Sequence, residues 1–277
     1  MEAAEENTGY ISERISIPAE WVQVFTYFYY AANRTVQPIS KKLLPTFQTI
    51  LVFNFGHPAT IYGEAGALSS GRSIVLGPLK KVLEYELPTG SEILVVNFRF
   101  DAFYRFFGAA LKACNELVKN PDELIKTHCF SDLWQELNRM LTLEQRVQRI
   151  LDFSVGYLHD REAASETIIR DGLQDTAMSP VKVIAEKSGQ SERSVQLNYK
   201  KYLGYSAKEM SRYQRFQKTV HFIQAAYAKD GSVDWFDVID DSGYYDQSHL
   251  IHDFTHYLGI SPTQFLKLQA DICMAGS

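Results

Sequence analysis

Cysteine is scarce in this chain. Cys114, Cys129 and Cys273 are the only three in 277 residues. They have no C-x-x-C spacing and cannot all pair, which excludes a disulfide framework and a thiolate zinc site. They read as reduced thiols of a cytoplasmic protein. Long apolar runs are missing too: none reaches the roughly eighteen residues that a membrane-spanning helix needs. The N-terminus is acidic and polar (Glu2, Glu5, Glu6, Asn7), unlike the basic and apolar start of a signal peptide. No low-complexity tract occurs, and no arrangement of nucleophile, base and acid points to catalysis.

The remaining composition is that of an ordinary globular protein, 45% hydrophobic and 22% charged. Its length points to two domains, because single cores rarely grow much past this size. The net charge of -5 is unevenly spread. Residues 180–218 hold nine basic side chains against three acidic, a surplus of +6. Residues 219–277 hold two against eight, a deficit of -6. A basic face suits nucleic acid, where phosphate neutralisation dominates affinity.

The first hundred residues read as strands. Trp21 to Ala31, Thr46 to Phe55, Arg72 to Leu76, Val82 to Leu87 and Glu92 to Phe100 are rich in β-branched and aromatic residues. Turn signals such as Gly77-Pro78 and Pro88-Thr89-Gly90 bound them. Short strands at this spacing predict an antiparallel β barrel or sandwich. After Asp101 the pattern turns helical, over Asp101 to Phe107, Ala109 to Lys119, Asp132 to Met140 and Leu143 to Leu158. Pro121-Asp122-Glu123 marks one helix start. The stripe Leu143, Val147, Ile150, Leu151, Ser154 and Leu158 suits packing on the sheet or on a second subunit. A polar connector, Arg161 to Met178, carries a short helical piece near Ile168, and the domain boundary falls near Thr176. The division is 1–175 and 176–277, the first α+β with flanking helices and the second all-α.

Within the second part, Ser179 and Pro180 open a helix to Lys187, Gly189 makes a turn, and Ser191 caps a helix from Glu192 to Leu203, stopped by Gly204. A long helix from Ala207 to Lys229 follows. A second unit then repeats the plan from Trp235, with Gly243 as stop, Asp246 as N-cap, Leu250, Phe254 and Tyr257 or Leu258 as buried face, Gly259 as the second stop, and Pro262 where the following helix begins. Two helix-turn-helix units on one long helix can place two recognition helices one DNA turn apart, on the order of 34 Å.

The run Gly-Tyr-Tyr-Asp-Gln-Ser-His-x-x-x-x-Phe-x-x-x-x-Gly-x-Ser-Pro-x-x-Phe, residues 243–265, resembles the second helix-turn-helix of the AraC family of transcription regulators. The resemblance covers roughly residues 176–270 and is clearest from Trp235 onward. It implies double-stranded DNA as partner. In the first recognition helix Ser191, Arg193, Ser194, Gln196 and Leu197 lie at or near base-reading positions, with Lys200 and Lys201 toward phosphates. In the second, Gln247, Ser248 and His249 match groove positions. His252 stands where the family usually has Arg, and His256 lies where a basic residue is common. A neutral histidine supplies no charge, so the second unit is expected to bind DNA more weakly than the first. Each of these residues also suits a solvated helix face. His249, His252 and His256, three and four apart, have a spacing that can hold a metal, but no acidic or cysteine partner accompanies them, and no metal or other cofactor is expected.

The N-terminal part is similar to the cupin-like sensor domains of the same family. An enzymatic cupin would need a His-x-His metal motif that this chain lacks, and the DNA-repair relatives of the family need a cysteine cluster. The resemblance therefore implies a non-enzymatic regulator whose N-terminal domain binds a small-molecule effector, forms a homodimer, or both. The early aromatics (Trp21, Phe25, Tyr27, Tyr29, Phe47, Tyr62) read as core or as pocket lining. The rival reading is an interaction protein whose acidic second unit docks a protein partner instead of DNA.

Overall fold

The structure is a computed structural model that describes residues 9–63, 66–108, 118–172, 179–230, 232–267 and 272–273. The N-terminal strands are β1 Tyr10–Ile15, β2 Phe25–Asn33, β3 Ile39–Leu43, β4 Ile50–Gly56, β5 Thr60–Gly63, β6 Gly66–Ser69, β7 Ser73–Leu76, β8 Leu83–Leu87, β9 Ser91–Phe98 and β10 Val118–Lys119. β11, Ile272–Cys273, lies at the other end of the chain. The strands form two sheets, in the orders β1-β2-β9-β4-β7-β10 and β11-β3-β8-β5-β6. All pairings are antiparallel except β11 with β3.

Side chains on a strand alternate between faces, and β4 and β9 use both. Leu51, Phe53, Phe55, Leu94, Val96 and Phe98 join the core under the helices. Ile50, Val52, Ile93 and Val95 point the other way, into the core between the sheets. That double burial is why both segments read as continuous apolar runs. The helices that cover the first face are α1 Ala102–Phe107, α2 Pro121–Ile125, α3 Cys129–Arg139 and α4 Leu143–Val155. The α4 stripe packs here: Val147, Ile150 and Leu151 are buried in this core, with Leu143 and Leu158 against it. A capping box between Thr142 and Gln145 starts α4.

Several sequence expectations change. The strand expected from Trp21 begins at Phe25, after a 3-10 turn at Ala19–Trp21. Thr46 to Thr49 is loop, and β4 starts at Ile50. Strands β1, β3, β5 and β6 are additional to those the sequence predicts; they carry no apolar run, and Ile61 alone among their residues is buried. Of the helix expected over Ala109 to Lys119, residues 109–117 lie outside the described residues, and Val118–Lys119 pairs with β7 as a strand. The polar connector contains a full helix, α5 Ala163–Gly172. The boundary near Thr176 falls outside the described residues.

The C-terminal part is helical: α6 Pro180–Ser188, α7 Glu192–Leu203, α8 Ala207–Asp230, α9 Trp235–Ser242, α10 Gln247–Leu258 and α11 Pro262–Lys267. One core runs through these helices, built on Tyr199, Tyr213, Phe216, Ile223, Phe254 and Phe265. It also takes in Leu44, Phe47 and Ile168 from the first part of the chain. Helices α7 and α10 therefore pack directly against the sheet-bearing half.

Candidate nucleic-acid interface

The two units of the C-terminal part repeat their local chemistry. Ser191 precedes α7, and its hydroxyl accepts from the Ser194 amide at 3.2 Å. Asp246 precedes α10 and accepts from the His249 amide at 2.8 Å. Each cap satisfies an amide that the first helical turn leaves without a partner. Gly204 and Gly259 then end the helices in the left-handed conformation, at φ 78° and 70°. The inward rows are buried: Val195, Tyr199, Tyr202 and Leu203 on α7, and Leu250, Phe254, Tyr257 and Leu258 on α10.

The outward row of α7 is Arg193, Gln196, Leu197 and Lys200, all exposed. Leu197 is 60% exposed, a large apolar side chain with no core to enter. Ser194 is half-buried, and its hydroxyl donates to Gln190 Oε1 at 3.3 Å. Lys201 departs from the expected phosphate-facing role. Its ammonium sits on Glu162 at 2.9 Å and on the Tyr202 hydroxyl at 3.0 Å. Tyr202 and Tyr104 also donate to Glu162, at 2.7 and 2.9 Å. These bonds from Tyr202, Lys201 and Tyr104 hold the Glu162 carboxyl down at about 2. The Lys201 ammonium is held charged by Tyr202 and Glu162. One face of α7 is thus tied to the segment before α5.

On α10 the exposed residues are Gln247, Ser248, Ile251, His252, Thr255 and His256. His249 is half-buried, with its ring edge-on to Tyr244 at 5.1 Å. His256 is exposed, and partial burial together with Arg212 and Lys81 pushes its pKa down. Sequence reasoning missed Asp253. This carboxylate is fully buried and collects Arg212 Nε at 2.7 Å, the Tyr244 hydroxyl at 3.0 Å and Arg215 Nη2 at 3.5 Å. A carboxylate without solvent needs such partners. Its only sequence signal is an acidic residue immediately before Phe254 on the buried face.

Charge counted along the chain therefore overstates what is left unpaired. Of the nine basic residues in 180–218, Lys187 pairs with Asp171, Lys201 with Glu162, Arg212 and Arg215 with Asp253, and Lys218 with Asp241. Lys182, Arg193, Lys200 and Lys208 are exposed and have no salt bridge among the described residues. Four of the eight acidic residues in 219–277 are likewise committed: Asp234 and Asp246 cap helices, and Asp241 and Asp253 hold cations of α8. No cluster of histidine, cysteine and carboxylate fit for a metal occurs among the described residues.

Residues 229–267, the second unit, match the family model for bacterial regulatory helix-turn-helix proteins, AraC family. Residues 229–267 are thus similar to an AraC-family helix-turn-helix. The match lies wholly in the C-terminal helical part, and the two β-sheets are built almost entirely from residues before it. No curated protein matches the chain. Among solved structures, ToxT from Vibrio cholerae is 10% identical with a TM-score of 0.41, covering 94% of this chain and 99% of that one. ToxT with a bound unsaturated fatty acid is 11% identical, TM-score 0.39, covering 95% and 97%. Hydroxypropylphosphonic acid epoxidase from S. wedmorenis is 15% identical, TM-score 0.26, over 33% of this chain and 51% of that one. At these scores none of the three assigns a residue or a ligand here. No helix among the described residues is long and apolar enough to cross a membrane.

Proposed function

We propose that the protein is a sequence-specific, DNA-binding transcription regulator of the cytoplasm, with residues 176–277 as the reader and residues 1–175 as the part that receives a signal. The observation that carries this reading is the pair of side-chain-capped, glycine-stopped helices α7 and α10. Each presents an exposed polar row, and the 24-residue α8 stands between their units. Arg193 and Gln196 have the donors and acceptors for guanine and adenine edges, and Leu197 suits a thymine methyl. Lys182, Lys200 and Lys208 are the unpaired cations for phosphate. Gln247, Ser248 and His252 form the reading side of α10, which has fewer free charges.

The signal-receiving reading rests on a cavity of about 100 Å³ between the sheets, lined by Tyr27, Tyr29, Ile61, Tyr85, Val95 and Asn97. Its mostly apolar walls suit a small effector of similar character. Bound there, the effector shifts the regulator only as far as its affinity differs between two conformations. Homodimerisation through residues 1–175 belongs to the same reading. One feature favours protein docking by the second unit: Phe236 is 84% exposed, beside exposed Asp237 and Asp240.

Selection from random duplexes at low and at physiological salt, followed by sequencing, tests the proposal. Two boxes about one helical turn apart support it. Retention without a motif, or no retention, counts against it and favours the docking role.

A further inference from the structure

Two histidines of α10 touch arginines of α8 through different ring nitrogens. Arg212 Nη2 lies 3.0 Å from Nδ1 of His252. Arg215 Nη2 lies 3.2 Å from Nε2 of His249. A guanidinium has only donors. In each contact the histidine nitrogen must be the acceptor, and a neutral imidazole then carries its proton on the other nitrogen. These contacts suit a proton on Nε2 in a neutral His252 and on Nδ1 in a neutral His249.

The arginines are not free to rearrange. Arg212 donates through Nε to the buried Asp253 at 2.7 Å, and its guanidinium carbon lies 5.5 Å from the Tyr257 ring centroid. Arg215 reaches the other Asp253 oxygen at 3.5 Å and lies over Tyr244 at 4.8 Å. Asp253 Oδ1 is 3.9 Å from His252 Nδ1, beyond hydrogen-bond distance, so among the described residues Arg212 is the partner of that nitrogen.

The two rings have different surroundings. His249 is half-buried against Tyr244, whereas the His252 side chain is 71% exposed. On the outward row, Ile251 has no polar side-chain atom, and the Thr255 hydroxyl donates to the Ile251 carbonyl at 2.9 Å. Ser248 and His256 lie one turn to either side, and His252 Nε2–H is the donor between them.

We infer that His252 is a specificity-determining residue that reads a base edge as a pure hydrogen-bond donor, with Arg212, anchored on Asp253, as the positioning residue that fixes its tautomer. A lone donor in the major groove finds two acceptors, N7 and O6, on guanine and meets a competing amino donor on cytosine. The second box should therefore carry a position enriched in guanine and depleted in cytosine. This inference rests on the reading of α10 as a DNA-reading helix.

The test has two arms on the full chain at pH 8. Long-range proton–nitrogen NMR of protein with nitrogen-15 in its histidine rings, assigned with His249→Ala and His252→Ala, reads the tautomers directly. The expected result is Nδ1–H for His249 and Nε2–H for His252, with His252 turning into a mixture in Arg212→Met. An Nδ1–H tautomer at His252, or an unchanged His252 in folded Arg212→Met, overturns the inference. Random-duplex selection is the second arm. The surface substitution His252→Ala should keep both boxes and lower guanine enrichment at one position of the second box roughly five- to tenfold, the low end of base discrimination. A two-box motif that His252→Ala leaves unchanged overturns the inference and leaves the regulator reading standing. A wild-type protein that selects no motif defeats the regulator reading itself, and this base assignment with it.

Discussion

The ring of Phe47 stacks on the ring of Tyr213 with centroids 4.3 Å apart and planes at 18°. Phe47 belongs to the loop between β3 and β4, and Tyr213 to α8. Phe47 also meets Tyr205 and Tyr257 edge-on, at 5.2 and 6.3 Å. Its backbone is left-handed, φ 56°, which costs of order 1–3 kcal/mol in a non-glycine residue. The Thr46 and Phe47 amides both donate to the Leu79 carbonyl, at 3.0 and 2.9 Å, and hold it there. Close by, the Val82 amide donates to the Tyr257 carbonyl at the end of α10, at 2.8 Å. Phe47→Ala should therefore cost about 3 kcal/mol or more, read by urea denaturation. Hydrogen exchange at the Val82 amide should rise at the same time. Protection unchanged at Val82 would mean that the two halves dock without the plug.

Breaking the Asp253 cluster should be the most damaging change at the second unit. Asp253→Ala leaves Arg212 and Arg215 without their carboxylate and the Tyr244 hydroxyl without its acceptor. The expected loss is about 3–5 kcal/mol, measured by thermal or chemical unfolding. A variant as stable as the parent would show that water replaces the carboxylate without penalty.

The link from Glu162 to α7 should respond to acid. The folded carboxyl is held down at about 2 by Tyr202, Lys201 and Tyr104, below its unfolded value, so the unfolded chain binds the proton first. Its stabilisation is complete above the ordinary carboxylate range and is lost as pH falls from about 5 toward 2. Glu162→Gln should lower the melting temperature at neutral pH and flatten its fall over that acid range. Parallel curves for the two proteins would assign the acid response to other carboxylates.

Gly172 leaves room for Tyr199. A Cβ at Gly172 would lie 2.0 Å from the Tyr199 hydroxyl oxygen and 3.0 Å from Ile184 Cδ1, and that hydroxyl donates to the Gly172 carbonyl at 3.1 Å. Gly172→Ala should destabilise by about 1–3 kcal/mol through overpacking, despite alanine's better helix propensity. Adding Tyr199→Phe should recover part of the loss, so a double-mutant cycle in unfolding free energy reads the clash.

Arg193 and Lys200 should fail differently in DNA binding. Arg193→Ala is expected to cost about 1–3 kcal/mol on the best site and to relax one base position of the first box. Lys200→Ala should weaken all sequences alike and reduce the salt slope by about one. Identical behaviour of the two variants would place both on phosphate.

Local signals were the legible ones. The bounds of α7 and α10 follow from Ser191 and Asp246 at one end and Gly204 and Gly259 at the other, because caps and stops act over a few residues. The buried strands β4 and β9 were visible as apolar runs. The exposed strands β1, β3, β5 and β6 were not, since their place comes from backbone pairing with strands far along the chain. The outward residues of α7 were readable as a row, but the pairing of Lys201 with Glu162, 39 residues away, was not.

By itself the sequence determined that there are two helix-turn-helix units, which residues cap and stop their helices, which rows are buried, and that the second unit has the AraC-type pattern. Those properties depend on helical periodicity and on interactions within a turn or two. Only the tertiary structure decided which charges are free. It brought Asp253 to Arg212 and Arg215, gave Lys201 to Glu162, and drove Phe47 into the core of the C-terminal helices. A charge or a ring has no preferred partner along the chain, and its partner is set by the packing that removes water from between them.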